Sequence, residues 1–252
     1  MMLKSPLISC LCITKNTVFF LKRSIECFRS QTYHNKELII VRKGEDPSVT
    51  EYLDTLEDDN ITYFQLPENL DCTLGDLRNF SIEKSNGDYF CIWDDDDWQH
   101  YDRLRAQLEQ MLISKHNVSV LTNLLAYNDY SNQGFFTSFR LWEGTLLCDK
   151  KFFQSGLRYP SLKKGEDSGF LKILLKHTRI YPVVSSVLYI YVYHGDNTWG
   201  IDHFKSHIFK QPLSLQASNI LKDVLSHDNP VNASEILGAS CITQEIDHFY
   251  KQ

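Results

Sequence analysis

The chain has 252 residues, 42% of them hydrophobic and 23% charged, which suits one large or two small globular domains with a sizeable core. Its net charge is about −6, and no run of five or more Lys/Arg occurs. A basic face for nucleic acid is therefore excluded, because neutralising phosphates is what drives such binding.

Leu7–Ile13 (LISCLCI) reads as a buried strand. After Thr14-Lys15-Asn16, Leu21, Ile25 and Phe28 at i, i+4, i+7 predict a helix. Leu38–Val41 is a short buried strand, and Ser48 is expected to cap a short helix to about Glu57. Ile61–Leu66 is a third strand. A helix follows over Thr73–Ser85, stopped near Asn86-Gly87. Tyr89–Trp93 is a fourth strand and runs into Asp94-Asp95-Asp96-Asp97. A helix over Tyr101–Ile113 places Leu104, Leu108 and Met111 or Leu112 on one face. Further on, Val118–Tyr127 and Thr145–Cys148 read as strands, Glu166–Lys176 as a helix with Phe170 and Leu174 inward, and Ile180–Tyr193 as a strand or hairpin. From Ile201 the pattern is helical and amphipathic, with Pro212 and Pro230 as breakers.

Strand–helix alternation predicts an α/β protein with parallel strands and helices on both faces. Ligands of such sheets bind beyond the carboxyl ends of the strands. Three polar clusters fall there: Thr14–Asn16, Arg42–Asp46 and Asp94–Asp97. This co-location predicts a single site.

The seven cysteines are odd in number and scattered, so they read as reduced core residues of a cytosolic protein rather than a disulfide framework. Cys10-x-Cys12 lacks a second Cys/His pair of matching spacing. Leu7–Ile13 is too short for a signal peptide and no small-residue cleavage site follows. No window reaches the roughly 18 apolar residues of a membrane span, so any membrane contact is expected to be peripheral.

Four consecutive aspartates repel one another and raise one another's pKa. A divalent cation removes that cost, and Mg²⁺ or Mn²⁺ prefers carboxylates together with substrate phosphates. Asp94 and Asp96 alternate along an extended chain and can point the same way. A solvated acidic loop or an Asp-rich helix start is the plainer alternative, but such loops do not usually follow a buried strand between two tryptophans.

These residues resemble the inverting family-2 glycosyltransferases with the GT-A fold. The likeness runs through Pro6–Ser9 to Thr14-Lys15-Asn16, Gln31-Thr32-Tyr33 with Glu37–Val41, Gly75-Asp76-Leu77-Arg78-Asn79, Asn86–Tyr89, Trp93–Trp98, Arg103-Leu104 and Gln107. Gly144-Thr145 and Gly165-Glu166-Asp167 look like the acceptor strand and the Glu-Asp motif. The match is dense over residues 6–110, patchy over 140–198 and absent beyond about 200.

The resemblance implies a Rossmann-like nucleotide-diphospho-sugar transferase fold: a central, mostly parallel sheet flanked by helices. Residues 1–115 would form the nucleotide-sugar half, 116–200 the acceptor half and 201–252 a helical C-terminal extension. It also implies a nucleotide-diphosphate sugar as donor, and a glycan or lipid-linked glycan as acceptor, in surface polysaccharide or lipopolysaccharide assembly at the cytoplasmic side of a membrane. Asp94 would hold the ribose or base, with Thr14, Asn16, Lys43, Arg78 and Asp95 around the nucleotide sugar. Asp96, with His194, would bind Mn²⁺ or Mg²⁺. Asp167 would be the catalytic base, with Glu166 beside it orienting acceptor or base. Trp93, Trp98 and Trp199 either stack on sugar rings or pack in the core. The family commonly ends its second strand in Asp-Asp-Gly, whose first Asp reads the base. Here Arg42-Lys43 stands in its place. That departure motivates the alternative of a non-catalytic nucleotide-sugar or glycan-binding module on the same fold. A nucleotidyltransferase would want a glycine-rich loop near Leu11–Phe20, which contains no glycine.

Overall fold

The computed structural model describes residues 5–15 and 18–250. Four strands and three helices alternate from the N-terminus: β1 (Ile8–Thr14), α1 (Val18–Arg29), β2 (Lys36–Lys43), α2 (Pro47–Asp54), β3 (Ile61–Leu66), α3 (Leu74–Lys84) and β4 (Tyr89–Ile92). There follow β5 (Trp98–Gln99), α4 (Arg103–Ile113), β6 (Val118–Leu121), β7 (Leu125–Asn128), β8 (Gln133–Phe136), β9 (Leu147–Asp149), α5 (Lys151–Gln154), α6 (Glu166–His177), β10 (Tyr181–Val183) and β11 (Tyr189–Tyr193). The chain closes with α7 (Ile201–His203), β12 (Gln211–Pro212), α8 (Leu215–Ser226), α9 (Pro230–Gly238) and α10 (Ile242–Tyr250).

The main sheet has the order β10-β6-β9-β4-β1-β2-β3. Only β9 runs against its neighbours. This is the mostly parallel α/β architecture expected, with one antiparallel strand inserted. The carboxyl ends of β1, β2, β3 and β4 lie along one edge, because their registers carry Thr14 opposite Arg42 and Lys43 opposite Leu66. α1 packs its Leu21, Ile25 and Phe28 stripe into the core as its spacing dictates. Each such side chain contributes roughly 1.5–3 kcal/mol by leaving water.

A second sheet has the order β12-β8-β7-β11-β5. It corrects two expectations. Val118–Tyr127 is not one strand: the chain leaves the main sheet after Leu121 and enters the second at Leu125, where Leu124 N donates to Thr137 Oγ1 and Asn123 Nδ2 to Thr137 O. Ile180–Tyr193 is likewise split, with β10 in the main sheet and β11 in the second, so it is not a hairpin. Hydrophobic runs mark burial on both faces but not which sheet provides it.

Smaller corrections have local causes. Asp46, not Ser48, caps α2: its Oδ1 accepts from Ser48 N at 3.0 Å and Val49 N at 3.3 Å. Thr145 belongs to a 3₁₀ turn, Glu143–Thr145, and the strand begins at Leu147. Met111 rather than Leu112 completes the inner face of α4. Pro212 sits in the edge strand β12, where its missing N–H costs little, and Pro230 opens α9 behind the Asn229 cap. All seven cysteines are free; five are buried, whereas Cys72 and Cys241 are half-buried. Residues beyond 201 join the body of the protein: Leu213, Ala217, Leu221 and Leu237 pack in the same core cluster as Trp93 and Leu125. Among the described residues no helix is long and apolar enough to cross a membrane.

Candidate active site

A cleft of about 610 Å³ opens beyond the carboxyl ends of β1, β2 and β4. Thr14, Lys43, Arg78, the whole run Asp94–Asp97, Glu166 and Asp167 line it. Of the residues singled out from sequence, only Asn16 lies outside the described set, and His194 reaches the cleft through its contact with Asp96.

The four aspartates take four different environments. Asp95 is buried and accepts a hydrogen bond from the Thr14 hydroxyl at the end of β1. Asp97 is also buried, accepting from the Tyr189 hydroxyl and from Val192 N at 2.8 Å. These two anchor the run to the two sheets. Burial pushes the Asp97 carboxyl well above the usual range, helped by the charges of Asp96 and Asp94. Asp94 and Asp96 are half-buried towards the cleft and Asp95 and Asp97 are buried, although the run is a bend between β4 and β5 and not the extended segment expected.

Asp94 keeps 28% of its side chain exposed. Enclosure by the cleft floor raises its pKa, Arg78 opposes the rise and Asp96 adds to it. Arg78, buried on α3, donates from Nε to Glu166 at 2.9 Å and from Nη2 to Asp94 at 3.3 Å. It therefore ties the acidic run to the start of α6, whose Glu166 lies 88 residues after Arg78 in the chain. Burial disfavours its charge, but Asp94 and Glu166 outweigh that and hold it firmly protonated.

Asp96 Oδ2 lies 3.0 Å from His194 Nε2 and 3.4 Å from Asn197 Nδ2. Among the described residues no group of three or more His, Cys, Asp or Glu side chains gathers to hold a metal. One carboxylate and one imidazole do converge, and they fit a hard divalent cation whose remaining positions come from phosphate and water oxygens. His194 sits at the end of β11 and packs on Phe20 of α1, with ring centroids 4.3 Å apart.

Gly165, at φ +74, turns the chain into α6 and sets Glu166 and Asp167 in its first turn. Carboxylates are favoured there by the helix dipole. Asp167 is mostly enclosed; burial raises its pKa, Arg78 counters this, and Glu143 raises it further. Behind it Ser168 Oγ donates to Glu143 Oε1 at 2.7 Å, and Glu143 also pairs with Arg140.

A second cavity of about 150 Å³ adjoins Asp167 and is walled by Trp142, Tyr189, Tyr191, Trp199 and His203. Trp93 and Trp98 are buried core residues, whereas Trp199 lines both this cavity and the cleft. Sequence reasoning missed Arg140, Glu143, Ser168, Tyr191 and Asn197. Tyr191 and Asn197 come in on and just after β11 of the second sheet, Arg140 and Glu143 on the turn before β9, and Ser168 on α6 beside Asp167, so no local pattern marks them as one group.

The sequence pattern of Glycosyl transferase family 2 matches residues 9–162, from β1 through the acidic run to the loop before α6. The chain belongs to this family. A glycosyltransferase of Haemophilus influenzae, described as uncharacterized, is 32% identical over 109 residues, which cover 42% of this chain and 43% of that protein. The putative glycosyltransferase EpsH of Bacillus subtilis is 30% identical over 113 residues, covering 44% and 30%. The matched stretch is thus less than half the length of these curated relatives. Among solved structures, S. aureus TarS 1–349 in complex with UDP-GlcNAc superposes with a TM-score of 0.64 at 15% identity, over 91% of this chain and 70% of that one. The mannosyltransferase PcManGT of Pyrobaculum calidifontis, in complex with GDP-Man and Mn²⁺, gives 0.61 at 12% identity, over 94% and 71%. These likenesses show the GT-A fold.

Proposed function

We propose that this family-2 protein is a metal-dependent, inverting glycosyltransferase. It moves a hexosyl group from a nucleotide-diphosphate sugar to a hydroxyl of a glycan or lipid-linked glycan, acting at the cytoplasmic side of a membrane in polysaccharide or lipopolysaccharide assembly. The observation that carries the reading is the convergence of Asp94, the Asp96–His194 pair and Asp167 on one cleft, with Arg78 joining its two sides. The fold neighbours that carry UDP-GlcNAc, or GDP-Man and Mn²⁺, support a nucleotide-sugar donor and a divalent metal.

In this reading residues 1–115 hold the donor, 116–200 the acceptor and catalytic base, and 201–252 extend the fold. Asp94 receives the ribose and Lys43 faces the nucleotide. Asp96 and His194 hold the cation. When bound, that ion neutralises the diphosphate and stabilises the charge growing on the leaving group. Asp167 accepts the proton of the acceptor hydroxyl as its oxygen bonds to the anomeric carbon and the bond to the diphosphate breaks on the opposite face. Glu166, held by Arg78, fixes the first turn of α6 and with it the position of Asp167. The aromatic cavity beside Asp167 receives the acceptor sugar.

A thermal-shift screen of nucleotide sugars with and without Mn²⁺, followed by assay of nucleoside diphosphate release over an acceptor panel, tests the reading. A matching donor raises the melting temperature by mass action and is consumed. Donor binding with no turnover on any acceptor would instead favour the binding-module alternative.

A further inference from the structure

We propose that the cleft selects a guanine-bearing donor, with Glu68 and Lys43 reading the base. The inference rests on the transferase reading, which needs a nucleoside diphosphate and leaves its base open. The two fold neighbours, one with UDP-GlcNAc and one with GDP-Man, indicate that the fold itself does not decide it.

β2 and β3 pair in parallel with Lys43 opposite Leu66, so both strands end at the same lip of the cleft. Gly44 N donates to Leu66 O at 3.0 Å and turns the chain at φ +83. A β-carbon at position 44 would lie 1.9 Å from Glu68 Oε2. The absent side chain of Gly44 therefore makes the room that the Glu68 carboxylate takes. Glu68 and Lys43 line the cleft together, and Ile13, Leu74 and Leu77 add apolar surface to the same walls. Arg42 is turned away, pairing with Asp46 at 3.3 Å. Lys43 and Glu68 stand outside the ion pairs formed among the described residues. An acidic reader is thus supplied from the end of β3, next to a lysine at the end of β2.

The chemistry of the pair discriminates between bases. A carboxylate accepts two adjacent N–H groups, one on each oxygen, and an ammonium only donates. The pairing edge of guanine offers a carbonyl followed by two adjacent N–H donors, which matches Lys43 and then both oxygens of Glu68. Uracil follows its single N–H with a second carbonyl, which would face a carboxylate oxygen. Cytosine and adenine each offer one amino group beside a ring-nitrogen acceptor. Only guanine fills both oxygens and the ammonium.

Calorimetric titration of the full chain with GDP, IDP, UDP, CDP and ADP in Mn²⁺ buffer tests this. GDP should bind about tenfold or more tightly than each of the others, because a site built for a donor group rejects the analogue that lacks it. IDP, which lacks only the 2-amino group, should fall into the UDP range. Glu68→Gln should bring GDP to the IDP value. Equal or tighter binding of UDP, CDP or ADP overturns the proposal, as does equal binding of GDP and IDP to the wild type, or GDP affinity unchanged in Glu68→Gln. Failure to bind any nucleoside diphosphate is a separate result and removes the transferase reading itself.

Discussion

The two walls of the cleft are built in opposite ways. The wall assigned to the donor rises from consecutive strand–helix units, and its side chains sit where β1, β2 and β4 end. The wall assigned to the acceptor is gathered from a 3₁₀ turn, the start of α6 and the end of β11, and it meets the other wall through contacts such as Arg78–Glu166 and Asp96–His194, 88 and 98 residues apart in sequence. A parallel sheet places one wall by topology alone, whereas the other depends on a few buried polar ties. Substitutions should therefore separate chemistry, architecture and fine tuning.

The largest effect belongs to the base. Asp167→Asn should lower kcat by about 1,000-fold, within the range for loss of general-base catalysis, while calorimetric donor affinity stays unchanged. An equal loss of affinity would move Asp167 to the donor wall. Next comes the tie between walls: Arg78→Met leaves the Glu166 and Asp94 carboxylates without their cation and should cost about 3 kcal/mol in chemical denaturation. That is the low end for a buried pair, because Asp94 keeps some solvent. Asp96→Ala should reduce kcat/KM by about 100-fold and raise the Mn²⁺ concentration needed for half-maximal rate, with little effect on folding.

The smallest effect is electrostatic. In the proposed mechanism Asp167 acts as a base only when ionised, and burial raises its pKa. The rate should therefore rise with pH through an acid limb above the ordinary carboxylate value of about 4. Glu143→Gln removes a like charge, so the limb should move to lower pH. Rates at neutral pH should stay within about threefold, since Asp167 is ionised there with or without the Glu143 charge.

The asymmetry of the walls also decides what was legible in the sequence. Alternating hydrophobic runs and helical spacing gave β1 to β4 with their helices, and placed three polar clusters at one sheet edge. The i, i+2 spacing paired Asp94 with Asp96, but it assumed an extended segment where the chain bends and did not reveal that Asp95 and Asp97 anchor the run to the two sheets. The second sheet was illegible, because β7 and β11 are buried on both faces and read like continuations of β6 and β10. Tyr191 therefore carried no local mark, and Glu143 meets Ser168 only because the turn before β9 packs on α6. Glu68 was hidden for another reason: its place over Gly44 follows from the register of β2 with β3 in the main sheet and not from its neighbours in sequence.

The central claim is a single base on one wall facing a metal-held diphosphate on the other. It is tested most directly by the anomeric configuration of the transferred sugar, read by proton NMR of the product against the donor. One-step displacement with Asp167 as base predicts inversion. Retention of configuration would contradict the account.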